Sequence, residues 1–432
     1  MDKSLSECKI NLDYLRDIKA KRQAEFYGSL ICRDGLKAPI YNNVRVEPLG
    51  QLFRPFGYQE KDLLIDDTDY CALVSPRGDS GNGRFIKGSI LYGGYIREVW
   101  GHFLMGSLAR LWWLVENLQK EKVDKVVFFA ENPRIEKLSG NFLEIMRLLG
   151  IEEKLLIVGN EPLEFECLIA PEICFEHDRF YSFECRKLFQ FIREKALLES
   201  KSQGPLPKKI FLTRSQLKNA NKTEINIETL DSLFANNGYE VLSPEKLSVI
   251  ELIKIFDNAE EIASIWGSVA HNLAFLSGME DKNVILVERH AMINTFQANI
   301  NVMCGYSVTH VDAHWMPYMS SSTSHVFLYG ATPRLKNFCR DRGLNLSLLE
   351  RSEKKSARRR SLLLFKNSYR RYFGTAQTIG EWERDYSDCF AEAIIDTNQY
   401  FSPWLEQYLP LQWFDYFSPY FLYRLIKKYI KK

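Results

Sequence analysis

Two α/β domains of the Rossmann-like kind, with a cleft between them and a helical C-terminal tail, are the architecture this sequence predicts. Three observations lead there. Short apolar runs alternate with longer segments whose apolar residues recur every three or four positions, as strands and helices do in a parallel sheet covered on both faces. The alternation occurs twice, on either side of residues 200–209 (SKSQGPLPKK), a stretch with two prolines, a glycine and no periodicity that reads as a linker. After about residue 330 the chain turns basic and aromatic. The expected units are 1–200, 201–335 and a tail over 336–432, and 432 residues suffice for a core in each half.

In the first unit, residues 71–74, 89–92, 125–130 and 155–158 read as strands, and 98–119 and 141–150 as helices. The second unit opens with a strand over 210–213. Helix 227–237 follows, with Gly238 as its C-cap, then strand 240–242, helix 248–258, strand 262–266, helix 269–277 and strand 283–288. Open α/β sheets bind ligands beyond the carboxyl ends of their strands, so a site is expected in the cleft there. In the tail, 351–360 (RSEKKSARRR) is a basic run. Trp382, Trp404 and residues 413–432 (WFDYFSPYFLYRLIKKYIKK) mix aromatics with Lys and Arg. A basic helix packed back on the N-terminal domain fits that composition, and so does a peripheral contact with anionic lipid on the inner face of the plasma membrane.

Composition narrows the function classes. Lys and Arg total 57 against 55 Asp and Glu, so no global field points to nucleic acid. Nine cysteines are scattered without a CxxC pair, as in a reduced cytosolic protein. Residues 1–22 lack the apolar core of a signal peptide. No uncharged apolar run reaches the roughly 18 residues of a membrane span. A cytoplasmic location is expected.

The candidate chemistry lies at strand ends. Arg214 closes the strand 210–213 and can grip phosphate bidentately. Residues 264–275 (SIWGSVAHNLAF) run strand, Gly-Ser turn, helix. Gly267 and Ser268 allow close backbone approach, the helix start favours an anion, and His271 and Asn272 add donors. An ordinary βα turn with His271 as a core histidine is the other reading. Glu288 ends its strand as a carboxylate able to accept ribose hydroxyls. Within residues 100–113 (WGHFLMGSLARLWW), His102, Gly106 and Arg110 recur every four residues and would share a helix face. His102 is then a candidate general base and Arg110 an acceptor-site cation, or both are buried structural donors. His310, Asp312 and His314 alternate, and Asp66, Asp67 and Asp69 cluster, but neither set makes a convincing metal site. Residues 78–83 (GDSGNG) lie in a polar loop, not in a strand–turn–helix.

Taken together, GHFLMGSLARLWW and the block from Arg214 to Glu288 resemble glycosyltransferase family 61. The block holds Thr213-Arg214, Asn226, Leu230, Gly238-Tyr239-Glu240-Val241, Pro244-Glu245, Leu247-Ser248, Phe256, Ala259, Gly267, Asn272 and Phe275 in the family's order, over roughly residues 90–290. The resemblance implies a GT-B architecture, with an acceptor domain first and a nucleotide-sugar domain second. It also implies a nucleotide-sugar co-substrate, usually a UDP-sugar, inversion at the anomeric carbon, no essential metal and no other cofactor. The expected acceptor is a glycan or lipid-linked glycan of bacterial surface polysaccharide. This chain departs from the pattern at Trp266, where the family has His, and at Gly106, where it has an acid. His102 and Glu98 therefore both stand as candidates for the base. The competing readings are a catalytically degenerate binding protein and a two-domain nucleotide-sugar epimerase.

Overall fold

The computed structural model describes residues 8–51, 63–66, 70–77, 83–117, 122–159, 161–177, 179–199, 204–218, 223–315, 326–354, 356–361, 363–364, 388–389, 392–393 and 396. The expectations for Asp67 and Asp69, for the polar loop 78–82 and for the tryptophan-rich tail lie outside these residues.

Two large sheets organise the chain. The second holds six strands, all parallel, in the order Ile10–Tyr14, Ser307–Asp312, Asn283–Glu288, Glu261–Ile265, Lys209–Leu212 and Glu240–Leu242. Five of these come from the segment expected to form the second unit. The sixth is a correction to the 1–200 boundary, because Ile10–Tyr14 pairs with Ser307–Asp312 and so belongs to the second sheet. The first sheet has seven strands and is mixed, not parallel throughout. Leu163–Ile169, Arg84–Ile96, Lys125–Ala130 and Leu155–Val158 run parallel. Leu63–Asp66, Tyr70–Pro76 and Ile40–Gln51 extend it as an antiparallel wing.

Alternation along the central strands explains how the first sheet is buried on both faces. Ile90, Tyr92, Val127 and Phe129 enter one cluster with Val46 and Phe165. Their neighbours Leu91, Val126 and Phe128 enter another, as a strand's period of two requires. That second cluster continues without a break into the second sheet through Ile210, Phe211, Ile262 and Ile285. Its connecting element is the helix Phe183–Glu199, which buries Cys185, Leu188, Phe189, Ile192 and Ala196 at helical spacing. The helix packs on Trp112–Asn117 and Gly140–Leu148 from the first half, and on Val249–Asn258 and Ala270–Leu276 from the second. One core thus spans both halves.

The helix expected over 98–119 is broken. Trp100–His102 is α-helical, Phe103–Ser107 is a π-turn, and Trp112–Asn117 resumes the α-helix. Leu108 N donates to Phe103 O five residues back at 3.1 Å. The extra residue destroys the four-residue register, so His102, Gly106 and Arg110 do not share a face. Elsewhere capping follows the sequence: Ser248 Oγ accepts from Glu251 N at 3.1 Å, and Glu251 Oε2 accepts from Ser248 N at 2.8 Å.

The N-terminal helix Asp17–Ser29 is held by buried charge. Lys19 Nζ donates to Glu288 Oε2 (2.9 Å), to Asp312 Oδ1 (3.1 Å) and to the His290 carbonyl (2.7 Å). Burial works against the Lys19 charge, but Asp312 and Glu288 outweigh it and raise its pKa. Asp312 also accepts from Arg16 N at 2.7 Å, and burial of its carboxyl is overcome by Lys19 and Arg16, which hold it well below the usual carboxylate range. The described part of the tail closes on the same helix, through Arg16 to Asp396 (2.9 Å) and Arg22 to Asp388 (3.0 Å). Among the described residues no helix is long and apolar enough to cross a membrane.

Removing one partner from a buried charge network strands the others. Lys19→Met should cost about 3–5 kcal/mol in urea unfolding. A loss below about 1 kcal/mol would show that Glu288 and Asp312 do not depend on the amine.

Candidate functional site

Strand order places the site. Along the second half of the chain the strands run second-first-third-fourth-fifth, and the direction of winding reverses between Lys209–Leu212 and Glu261–Ile265. At such a switch point the loops leaving neighbouring strands part and open a crevice. Here the departing loops carry Thr213-Arg214 and Trp266-Gly267-Ser268, and Arg214 Nη1 reaches Ser268 Oγ at 3.5 Å. A cavity of about 630 Å³ lies at this point, within the range of small-molecule sites.

Both halves wall the cavity. The second supplies Thr213, Arg214, Ser268, Asn272 and the loop 244–249; the first supplies Trp100 and residues 139–142. Three hydrogen bonds tie the walls together. Trp100 Nε1 donates to Asn272 Oδ1 (2.8 Å), Asn141 Nδ2 to Leu247 O (2.9 Å), and Val249 N to Glu144 Oε2 (2.6 Å). Close approach is needed for this, and Gly101 permits it: a Cβ there would lie 2.5 Å from His271 Nδ1.

Behind Arg214 stands a buried carboxylate. Glu224 Oε1 accepts from Arg214 Nε (2.9 Å) and from Arg289 Nη1 (2.6 Å), and Oε2 accepts from the Tyr329 hydroxyl (2.7 Å). The short parallel pair Glu224–Ile225 and Phe327–Tyr329 brings these residues together. Burial pushes Glu224 up, but Arg289 and Arg214 outweigh it and hold the carboxyl below its ordinary range. Gly267, at φ +124°, keeps the turn open beside Arg289, whose Nη2 would meet a Cβ at 2.7 Å.

Of the residues singled out in the sequence, Arg214, Ser268 and Asn272 line the cavity. Asn272 spends its amide on Trp100 and on the Val269 carbonyl (2.9 Å), so it braces the wall. Gly267 and His271 lie directly behind. The expected helix start is a 3-10 turn, Ala270–Leu276. Glu288 is not at the cavity, which corrects its expected ribose role: Lys19 takes one carboxylate oxygen and His310 Nδ1 the other, at 2.7 Å. His310 also meets Tyr27 and His314 meets Arg16, so the alternating His310, Asp312 and His314 are all committed inside the protein. Arg110 is buried, donating to the Pro171 carbonyl and lying over the Tyr92 ring, which is the structural reading. His102 is half-buried and Glu98 exposed on the loop entering Trp100. The sequence reading passed over Arg289, although it follows a strand as Arg214 does. Glu224 and Tyr329 gave no local signal, because only tertiary pairing brings them to the site.

Residues 100–286 match the family model described as Glycosyltransferase 61. The chain carries a glycosyltransferase family 61 domain. It is a glycosyltransferase, with a sugar donor and a glycan acceptor as its general substrates. No curated protein matches the chain. The matched span of this glycosyltransferase begins at Trp100 and takes in His102, Arg110, Arg214 and Gly267 to Asn272. Glu98, Glu288 and Arg289 fall just outside it.

In this glycosyltransferase the two histidines differ in their surroundings. His102 Nδ1 lies 3.0 Å from Arg97 Nη1. Arginine only donates, so Nδ1 accepts and the proton of neutral His102 sits on Nε2. His271 stacks on Phe296 at 5.4 Å, with His102 edge-on to the same ring at 5.9 Å. Burial, followed by His102, Arg214 and Arg289, pushes His271 down to about 3 from 6.5. Below pH 6.5 the unfolded chain therefore binds a proton that the fold refuses, and stability falls as pH drops toward 3. Between pH 7 and pH 5 this one group should remove about 2 kcal/mol. Urea unfolding at both pH values should show a smaller loss in His271→Gln than in the wild type; equal losses would mean His271 titrates normally.

Proposed function

We propose that the enzyme inverts the anomeric centre of a nucleotide-sugar, a UDP-sugar in the first instance, in transferring the sugar to a glycan hydroxyl without a metal ion. The single observation that carries this reading is the 630 Å³ cavity at the switch point between the two halves, with Arg214 and Ser268 together in its second-half wall. Arg214 and Ser268 hold the donor's diphosphate, and the apolar side chains of Phe142, Leu217 and Leu252 give the nucleoside a dry wall. A GT-B arrangement, with the second half on the donor and the first on the acceptor, fits this division. The resemblance to family 61 is what supports a bacterial surface glycan as acceptor. A lipid-linked acceptor would suit a basic tail at the membrane surface.

In the reaction the acceptor oxygen attacks the anomeric carbon as the bond to the diphosphate breaks, with its electron pair leaving on phosphate oxygen. Arg214 neutralises that growing charge, a held donor that needs no reorganisation. The acceptor proton needs a base with a free lone pair. His102 Nε2 carries a hydrogen and Nδ1 is occupied by Arg97, so His102 acts as a donor. Glu98, exposed two residues before cavity-lining Trp100, is the proton acceptor.

A thermal-shift series with UDP, GDP, CMP and their sugars tests the donor site. One nucleotide should stabilise the wild type, and Arg214→Ala should weaken its binding roughly 10- to 100-fold. Folded protein that no nucleotide stabilises would favour a degenerate binding protein. Glu98→Gln should lower kcat by about 10²–10⁴ with donor KM little changed. Wild-type turnover in that variant would return the base to another residue.

A further inference from the structure

Arg214 presents a puzzle as a phosphate ligand, because its Nε is already paired with the buried carboxylate of Glu224 at 2.9 Å. A guanidinium cancelled by its own carboxylate has little charge left for a ligand. Arg289 changes the balance. Its Nη1 sits 2.6 Å from the same Glu224 oxygen, so two guanidinium groups share one carboxylate and one positive charge is in excess. The excess is enclosed, since Arg289 and Glu224 are 7% and 3% exposed. Tyr329 adds no charge, because burial and then Glu224 raise its pKa and keep it a neutral donor. Glu245 and Lys246 at the cavity rim are both exposed and offset one another.

Arg289 is held in place for this purpose. Its guanidinium lies over the rings of Phe327 (4.0 Å) and Trp266 (5.3 Å), and its Nη2 fills the space that Gly267 leaves. Its Nε is buried without a partner. Burial, and repulsion from Arg214, pull its pKa down in spite of Glu224, as is expected of an over-supplied cationic cluster.

We infer that Arg289 is a positioning residue that sets the charge of the donor site: by neutralising Glu224 it frees the charge of Arg214 for a diphosphate. The inference rests on the donor-site reading above and gives it a mechanism. Net charge at the triad is one positive in the wild type, none in Arg289→Gln, two in Glu224→Gln, and one again in the double variant.

Calorimetric titration with inorganic pyrophosphate, on full-length protein whose fold is checked by circular dichroism, reads this order. Arg289→Gln should bind on the order of tenfold more weakly than wild type or worse, and Glu224→Gln correspondingly more tightly. The double variant should return to within a few-fold of wild type. That rescue is the decisive readout, because a residue that merely packs the wall would not be rescued by a second loss. Wild-type affinity in Arg289→Gln, or a double variant as weak as the single one, overturns the inference while leaving the donor site standing. Wild-type protein that binds neither pyrophosphate nor UDP overturns both.

Discussion

Parallel strands all end at one edge, and that edge is where this protein must settle its charges. Polar residues that follow the strands Lys209–Leu212, Glu261–Ile265, Asn283–Glu288 and Ser307–Asp312 are delivered to a single strip. The first half and the N-terminal helix then cover the strip. Every charge enclosed there must find a partner or lose its ionisation. The strip resolves into two clusters with opposite outcomes. Around Asp312 the lysine, arginine and carboxylates close on one another and hold down the N-terminal helix. Around Glu224 two arginines share one acid, and the site opens onto a cavity.

The two halves share one apolar cluster. A continuous core passes through the helix Phe183–Glu199, and Trp100 reaches over to Asn272. The π-turn after His102 lies next to this contact. It stands between Trp100, which reaches the second half, and Leu108 and Leu111, which are buried in the core. The turn therefore separates His102, tied to Arg97, from Arg110, tied to Pro171.

Where the sequence was legible, a short apolar run was bounded by polar residues. Lys125–Ala130, Leu155–Val158, Glu240–Leu242 and Asn283–Glu288 were readable from end to end for that reason. Ile10–Tyr14 was not, because its partner lies some three hundred residues away and the strand carries polar residues at an edge. Of the antiparallel wing only 71–74, inside Tyr70–Pro76, was legible, for a related cause: long strands such as Ile40–Gln51 are half-exposed and lack a sharp period. At the site, one rule flagged Arg214 and Glu288 alike as polar residues at strand ends. The rule could not separate them, because the difference is Lys19, which arrives from the other end of the chain. Glu224 illustrates the opposite limit, since nothing in its neighbourhood marks it until Arg289 and Tyr329 are brought to it.

A division of labour follows from the state of these groups. A guanidinium is charged near neutral pH, so a site built on Arg214 and Arg289 does not change its charge there. Burial, with the neighbouring cations, keeps His271 neutral, and that imidazole adds nothing to the field near neutral pH. In the proposed reaction proton transfer is thereby kept away from the diphosphate. It is assigned to the first half, where Glu98 is open to water and His102 is fixed in one tautomer by Arg97. Holding a diphosphate and accepting a proton need opposite surroundings, one desolvated and cationic, the other hydrated and basic. On the proposed reading they stand on different sheets, joined at the cavity wall by the hydrogen bond from Trp100 to Asn272.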